Sequence, residues 1–140
     1  MFSDPLEQPL AVENAPQPEK ILIVDDDESI VEVLSHRLST QGFAPLAAHC
    51  GAEGLDRARQ DQPSLILLDL CLPDVDGLDI CETLVDSADT WDIPVIVLSG
   101  CDDTDIVRRC RAAGCRFFVR KPYDPNALLV LIRQALDGWN

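Results

Sequence analysis

The sequence has no apolar run approaching the roughly 20 residues that a helix needs to cross a bilayer. Its first ten residues, MFSDPLEQPL, lack the basic start and apolar stretch of a secretory signal. Basic residues are few: 11 Lys and Arg stand against 25 Asp and Glu, for a formal net charge of −14. Such an acidic chain repels nucleic-acid phosphates and anionic membranes. We therefore expect a cytoplasmic protein with no direct nucleic-acid or membrane partner, for which a divalent cation is a natural ligand.

The six cysteines form no CxxC pair, and only His36 and His49 are available as imidazole ligands. Zinc sites usually show tight paired spacing, so this arrangement argues against a zinc site. We expect reduced thiols, most of which fill the core as small apolar groups.

Residues 1–19 contain four prolines among polar residues, which predicts a flexible N-terminal leader. From residue 20 onward, apolar strand-like runs alternate with helix-like periodicity. Predicted strands cover residues 21–24, 43–48, 64–68, 94–98 and 115–119, and predicted helices cover residues 27–40, 52–60, 78–85, 103–113 and 125–136. This alternation predicts one α/β domain over residues 20–138, with a five-stranded parallel sheet covered by helices on both faces. Because the last predicted helix ends near the last residue, we expect a free-standing protein.

Polar side chains follow the predicted strands where each of them ends. Asp25 and Asp26 follow the first strand, Asp69 the third, Ser99 the fourth and Lys121 the fifth. In an open parallel sheet, ligands bind at the carboxyl ends of the strands, so these groups should lie together. Crowded carboxylates are costly unless a cation neutralises them, and an oxygen-rich set suits Mg²⁺ or Mn²⁺. Asp69 could then act as a nucleophile toward a phosphoryl group, with Lys121 and Ser99 binding its oxygens.

Four stretches occur in a familiar order: ILIVDDDESI, LILLDLCLPDVDGLDI, IPVIVLSG and FFVRKPY. With these stretches the chain resembles the response-regulator receiver domains of two-component signalling over residues 20–137. The resemblance implies the doubly wound (βα)5, three-layer sandwich of the CheY-like and flavodoxin-like folds.

The resemblance also implies a role for each matched position. Asp69 would be the phosphoacceptor, and Asp25, Asp26 and Asp69 would bind the metal together with the backbone carbonyl of Cys71. Ser99 would provide the switch hydroxyl. Lys121, joined to Pro122 by a cis bond, would bind the phosphoryl group. Phe118 would be the aromatic ring that moves with the switch.

By this resemblance, a histidine kinase or phosphotransfer protein would phosphorylate Asp69 and so switch a protein-interaction surface, whose downstream effector the sequence does not name. The chain would catalyse only its own phosphorylation and dephosphorylation and would not be an enzyme with a separate substrate.

Three alternatives to this reading stay open. The chain could be the regulatory part of a larger transcription factor or nucleotide cyclase, or a degenerate receiver that is not phosphorylated. The third alternative is a small Mg²⁺-dependent phosphatase, which would need an acid at position 71, where the chain has Cys71.

Cys71 and Cys101 depart from the usual pattern, because they lie two residues after Asp69 and Ser99 respectively. Side chains at these family positions flank the phosphoryl group and tune its hydrolysis. Since a thiol orients water poorly, we expect a comparatively long-lived aspartyl phosphate. Oxidation of one of these thiols is an alternative second input, which neighbouring acids should suppress. Phe118 replaces the tyrosine often found at its position.

Basic residues concentrate near the last predicted strand, where strand alternation places Arg116, Phe118 and Arg120 on one face. We predict a face for an acidic partner or for a second copy in a phosphorylation-dependent homodimer. The alternative is pairing of the arginines with nearby acids: Asp102, Asp103 and Asp105. Other acids have structural readings, Asp27 as a helix N-cap and Asp74 and Asp76 as turn residues before Gly77.

Overall fold

A single parallel sheet of five strands, in the order β2-β1-β3-β4-β5, organises the chain. The computed structural model describes residues 17–100 and 104–138. Within these ranges the strands are β1 (Lys20–Val24), β2 (Ala44–Ala48), β3 (Leu65–Asp69), β4 (Val95–Ser99) and β5 (Phe117–Arg120). The helices are α1 (Glu28–Thr40), α2 (Gly51–Asp61), α3 (Gly77–Asp86), α4 (Thr104–Ala112) and α5 (Pro125–Gly138). The predicted fold class and the alternation of strands and helices are confirmed.

The strands of the sheet centre are buried on both faces, as their continuous apolar runs predict. Side chains alternate between two core layers. Leu22 and Val24 join the layer packed under α2, α3 and α4, whereas Ile21 and Ile23 join the layer under α1 and α5. Burying each such side chain stabilises the fold by about 1.5–3 kcal/mol before entropic costs. The edge strands β2 and β5 are only partly buried.

The last strand begins two residues later than the sequence predicts, at Phe117 rather than at Cys115. Gly114 has a φ of +98°, and the backbone N–H of Cys115 still donates to the Cys110 carbonyl at 2.9 Å. Cys115 therefore belongs to the turn that leaves α4, and its side chain is buried in the core. Most of the predicted leader, residues 1–16, lies outside the described residues.

Acidic side chains cap the first turns of α1 and α3. Asp27 accepts hydrogen bonds from the backbone N–H groups of Ser29 at 3.0 Å and Ile30 at 3.4 Å, which confirms the predicted N-cap of α1. Asp76, read from sequence as a turn residue, accepts from the N–H of Leu78 at 3.0 Å and caps α3. Across the described residues, no helix is both long and apolar enough to span a membrane.

Candidate functional site

Three carboxylates meet at the carboxyl edge of the sheet. Asp25 follows β1 directly, and Asp69 is the last residue of the neighbouring strand β3. These two side chains are buried, at 2% and 5% exposure, whereas Asp26 is exposed. One oxygen from each of the three carboxylates lies within 4.8 Å of the others. The structure thus brings together the acidic residues that the sequence predicted to share this edge.

Backbone N–H groups orient the two buried carboxylates. The N–H of Asp27 donates to Asp25 Oδ1 at 2.9 Å, and the N–H of Cys71 donates to Asp69 Oδ1 at 3.3 Å. Sheet pairing continues past the strand end, since the N–H of Asp25 donates to the Ala48 carbonyl at 3.0 Å. Each acid therefore has a defined position before any ligand binds, which lowers the ordering cost of binding.

Lys121 provides the positive charge of the site. Its Nζ lies 3.5 Å from Asp25 Oδ2 and 3.5 Å from Asp69 Oδ1. The β4–β5 pairing carries it there, because the Lys121 N–H donates to the Ser99 carbonyl at 2.7 Å. The peptide bond between Lys121 and Pro122 is cis, as predicted. Ser99 itself ends β4 beside Asp69 and is fully buried.

Burial and charge act against each other in this cluster. Burial raises the pKa of Asp69 above its usual value, although the Cys71 N–H and the Lys121 charge oppose that rise. For Lys121, burial alone would lower the pKa, but the charges of Asp69 and Asp25 outweigh it and the pKa is raised. The lysine therefore stays an ammonium group at neutral pH, and its single charge lies beside Asp25 and Asp69 in a cluster of three carboxylates. A divalent cation would neutralise the excess negative charge of this cluster.

The chemistry of the donor set fits Mg²⁺. Hard cations of this type take oxygen ligands and keep several waters, so a site with few protein carboxylates leaves room for a ligand's phosphate oxygens. Asp25, Asp26 and Asp69 are the residues that would hold it, because their oxygens are close together. The Cys71 backbone lies beside Asp69 through its N–H contact.

The other predicted positions lie around this centre or beyond it. The exposed side chain of Cys71 follows Asp69, while Cys101 lies outside the described residues. Phe118 is half-buried on β5, where its ring packs against the core layer under α2, α3 and α4. Arg116, which directly precedes β5, and Arg120, the last residue of β5, are both exposed. Of the proposed acidic partners, Asp105 pairs with Arg108, and Asp102 and Asp103 fall outside the described residues.

Sequence reasoning missed the role of Asp74. Its carboxylate accepts hydrogen bonds from the N–H groups of Gly51 at 2.8 Å and Ala52 at 3.0 Å, and these bonds hold its pKa below the usual value. One signal was present in the sequence: the residue before α2 is Cys50, which is a poor N-cap, so the helix needed a cap from elsewhere. Sequence reasoning also did not single out Tyr123, which is influenced by the charges of the site. Burial raises its pKa, with Asp25 adding to the rise and Lys121 opposing it.

Comparison with known proteins identifies the family. Residues 21–133 match the response regulator receiver domain. The chain therefore belongs to the receiver domains of two-component response regulators, which are signalling proteins rather than conventional enzymes.

Known relatives and solved structures agree with this assignment. The DNA-binding response regulator MtrA of Mycolicibacterium smegmatis is 36% identical over 118 residues, which cover 84% of this chain and 50% of the relative. A CheY-like receiver domain protein from Methanospirillum hungatei superposes with a TM-score of 0.82 at 28% identity, covering 87% of this chain and 96% of the other. The receiver domain of a histidine kinase from Syntrophus aciditrophicus gives a TM-score of 0.80 at 31% identity, covering 86% and 91%. The chain spans about half the length of the curated relatives it matches.

Proposed function

We propose that this receiver accepts a phosphoryl group on Asp69 from a phosphohistidine of a histidine kinase or phosphotransfer protein. In this role Asp25, Asp26 and Asp69, with the Cys71 carbonyl, bind Mg²⁺. Phosphorylation then changes the surface formed by α4 and β5, which an effector protein reads. The chain has no separate substrate, because it accepts the phosphoryl group on its own Asp69 side chain.

One observation supports this proposal: the buried Asp69 carboxylate has an ammonium group and two further carboxylates close to it. The Lys121 ammonium is 3.5 Å from Asp69 Oδ1, and one oxygen from each of Asp25, Asp26 and Asp69 lies within 4.8 Å of the others. A purely structural aspartate would not need both partners. A buried carboxylate with a cation beside it, at the carboxyl end of a parallel strand, suits a nucleophile that receives an anionic group.

Phosphoryl transfer to Asp69 forms one bond to phosphorus and breaks another. An Asp69 oxygen forms the new bond to phosphorus, while the bond from phosphorus to the donor's imidazole nitrogen breaks and the imidazole takes the electron pair. When bound, Mg²⁺ supplies positive charge that offsets the repulsion between carboxylate and phosphoryl group. Lys121 remains charged and binds a phosphoryl oxygen, while the buried position of Ser99 puts a hydroxyl at the end of the adjacent strand.

The switch uses the connection between Ser99 and β5. When the Ser99 hydroxyl turns toward the phosphoryl group, it vacates space that the half-buried ring of Phe118 can occupy. Because Val97, two residues before Ser99, pairs with Phe118 across the β4–β5 ladder, the two movements share one pair of strands. Phosphorylation would shift the population of this pair of arrangements rather than create a new fold.

Two settings are consistent with this chemistry. In the first, the receiver is a free-standing regulator that acts through protein contacts. In the second, it regulates a DNA-binding part, as the name and double length of the MtrA relative suggest. Sequencing the gene on either side of the 140 codons distinguishes these settings: a stop codon directly after Asn140 supports the first, and an open reading frame into a helix-turn-helix supports the second.

Intact-mass spectrometry after incubation with acetyl phosphate and Mg²⁺ tests the proposal. Wild type should gain the mass of one phosphoryl group, and Asp69→Ala should gain none. Asp56→Ala, which removes an exposed acid on α2, is the matched control and should behave as wild type. A wild type without mass gain, or an Asp69→Ala variant that still gains it, would refute the assignment. Turnover of a free phosphoester by the same samples would instead favour a phosphatase.

A further inference from the structure

The loop between β3 and α3 caps a helix to which it does not belong. Asp74 lies in this loop, five residues after Asp69, and its two carboxylate oxygens accept from the first N–H groups of α2. Helix α2 has no capping bond from its own N-cap residue, since the Cys50 side chain makes none. The N-terminus of a helix leaves N–H groups without intrahelical partners and carries a partial positive charge. Asp74 satisfies both needs from a distant part of the chain.

Close packing reinforces this attachment. A Cβ on Gly51, the first residue of α2, would lie 2.3 Å from Val75 Cγ2 and 3.0 Å from Ile80 Cδ1. The residue after Asp74 therefore presses directly on the start of α2. Only the absence of a side chain at position 51 allows the loop to approach closely enough for the two hydrogen bonds.

The same loop is closed at its base, next to the phosphorylation site. Cys71 and Asp76 form an antiparallel bridge, and the Gly77 N–H donates to the Leu70 carbonyl at 3.3 Å. The base also contacts the site, because the Cys71 N–H donates to Asp69 Oδ1. A short loop held at both base and tip behaves as one body, so a displacement at Asp74 reaches the Cys71 backbone.

We propose that Asp74 is a positioning residue for the phosphorylation site: by fastening the loop tip to α2, it holds the Cys71 backbone where its carbonyl can bind Mg²⁺ and its N–H can orient Asp69. The inference rests on the proposed function, since it assigns Asp74 a task within that site. It also makes α2 part of the support of the metal, because its two terminal N–H groups anchor the loop.

Mg²⁺ affinity, measured by calorimetry with the metal alone, tests the proposal without any phosphoryl transfer. Asp74→Ala should raise the Kd for Mg²⁺ about tenfold, as expected when a group that supports metal ligands is lost. Asp74→Asn keeps one acceptor oxygen and should fall between wild type and Asp74→Ala. Glu53→Ala is the matched control, because Glu53 accepts from the His49 N–H at 2.7 Å at the start of α2 but does not touch the loop.

A merely structural cap predicts a different pattern. In that case Asp74→Ala and Glu53→Ala, compared by urea unfolding, would change Mg²⁺ affinity equally for equal losses of stability, and that result would overturn the proposal. An unchanged Kd in Asp74→Ala would overturn it as well. Phosphorylation is scored separately: if wild type binds Mg²⁺ but gains no phosphoryl group, the proposed function fails while the comparison of Kd values still decides the role of Asp74.

A measurement on the wild type tests the proposal even if the variants do not fold. If the loop couples the two places, Mg²⁺ must stabilise the capping bonds by the same free energy by which those bonds favour Mg²⁺. Saturating Mg²⁺ should therefore slow hydrogen exchange at the amides of Gly51 and Ala52. The amide of Gln41, which donates to the Leu38 carbonyl at 3.1 Å at the end of α1, provides a reference outside the loop. Equal exchange of the Gly51 and Ala52 amides with and without Mg²⁺ would contradict the proposal.

Discussion

At the scale of single residues, the site holds charges in places that a structural residue would avoid. Asp69 is buried beside Asp25, and its pKa is raised chiefly because burial disfavours its charged form. Lys121 offsets this cost only in part. The buried charge therefore weakens the folded state, and under the proposed function a bound cation would offset this cost.

This cost gives a pH-dependent prediction for Asp69→Asn. Below the usual carboxyl pKa of 3.8 the group is protonated in both folded and unfolded chains, so the penalty is absent there. It grows as the pH rises through the higher pKa of the folded state. With a chelator present, Asp69→Asn should thus be more stable than wild type near pH 7, with a difference that shrinks toward pH 4. Urea unfolding at several pH values measures it, and a less stable variant at pH 7 would contradict the expectation.

Cys71 gives a second residue-scale prediction, about the lifetime of the phosphoryl group. The side chain of Cys71 is exposed beside Asp69, where a thiol orients an attacking water poorly. Cys71→Asn supplies an amide that can hold this water, and it should shorten the aspartyl phosphate lifetime several-fold. Loss of the phosphoryl mass after removal of donor measures the rate. Cys71→Ala, which adds no polar group, is the control, and equal rates in all three proteins would disprove the hypothesis.

At the scale of elements, the β3–α3 loop and its helices depend on close backbone approach. A Cβ on Gly77 would lie 2.6 Å from Leu70 Cα and 2.9 Å from the Leu70 carbonyl oxygen. Neither is the flexible end of a side chain, so the loop or α3 would have to move. The first turn of α3 therefore requires glycine at this position.

Gly77→Ala should destabilise the fold by about 1–3 kcal/mol, the usual cost of forcing an extra methyl group into a packed site. Gly138→Ala is the matched control, because nothing lies within 4 Å of a Cβ added there. That change should stay within about 0.5 kcal/mol, as at other open surface positions. Denaturant unfolding compares the two variants, and equal stabilities would mean that α3 shifts without cost.

At the scale of the whole molecule, charge is unevenly distributed. The chain has a net charge of −14, yet Arg116, just before the edge strand β5, and Arg120, at its end, are exposed. The opposite edge of the sheet is formed by β2. An acidic partner, including a second copy of this chain, would be attracted to the β5 edge.

We predict that phosphorylation promotes self-association through the β5 edge and that Arg116→Glu with Arg120→Glu prevents it. The matched control is Arg57→Glu with Arg59→Glu, which makes the same charge change on α2. Analytical ultracentrifugation of the acetyl phosphate-treated proteins measures the effect, and higher salt should weaken association of wild type. A dimer that survives the reversal at positions 116 and 120 would place the interface elsewhere, and a wild type that stays monomeric would rule out the homodimer.

Sequence patterns were sufficient to predict the order of the elements and most of the site. Continuous apolar runs mark strands buried on both faces, and parallel strands must deliver the residues that follow them to one edge. These two facts predicted the meeting of Asp25, Asp69 and Lys121, whose distances the structure confirms. Only the tertiary structure decided the task of Asp74 and the late start of β5. The first depends on a contact between segments far apart in the chain, for which the poor N-cap Cys50 is only an indirect signal, and the second depends on the path of the turn at Gly114.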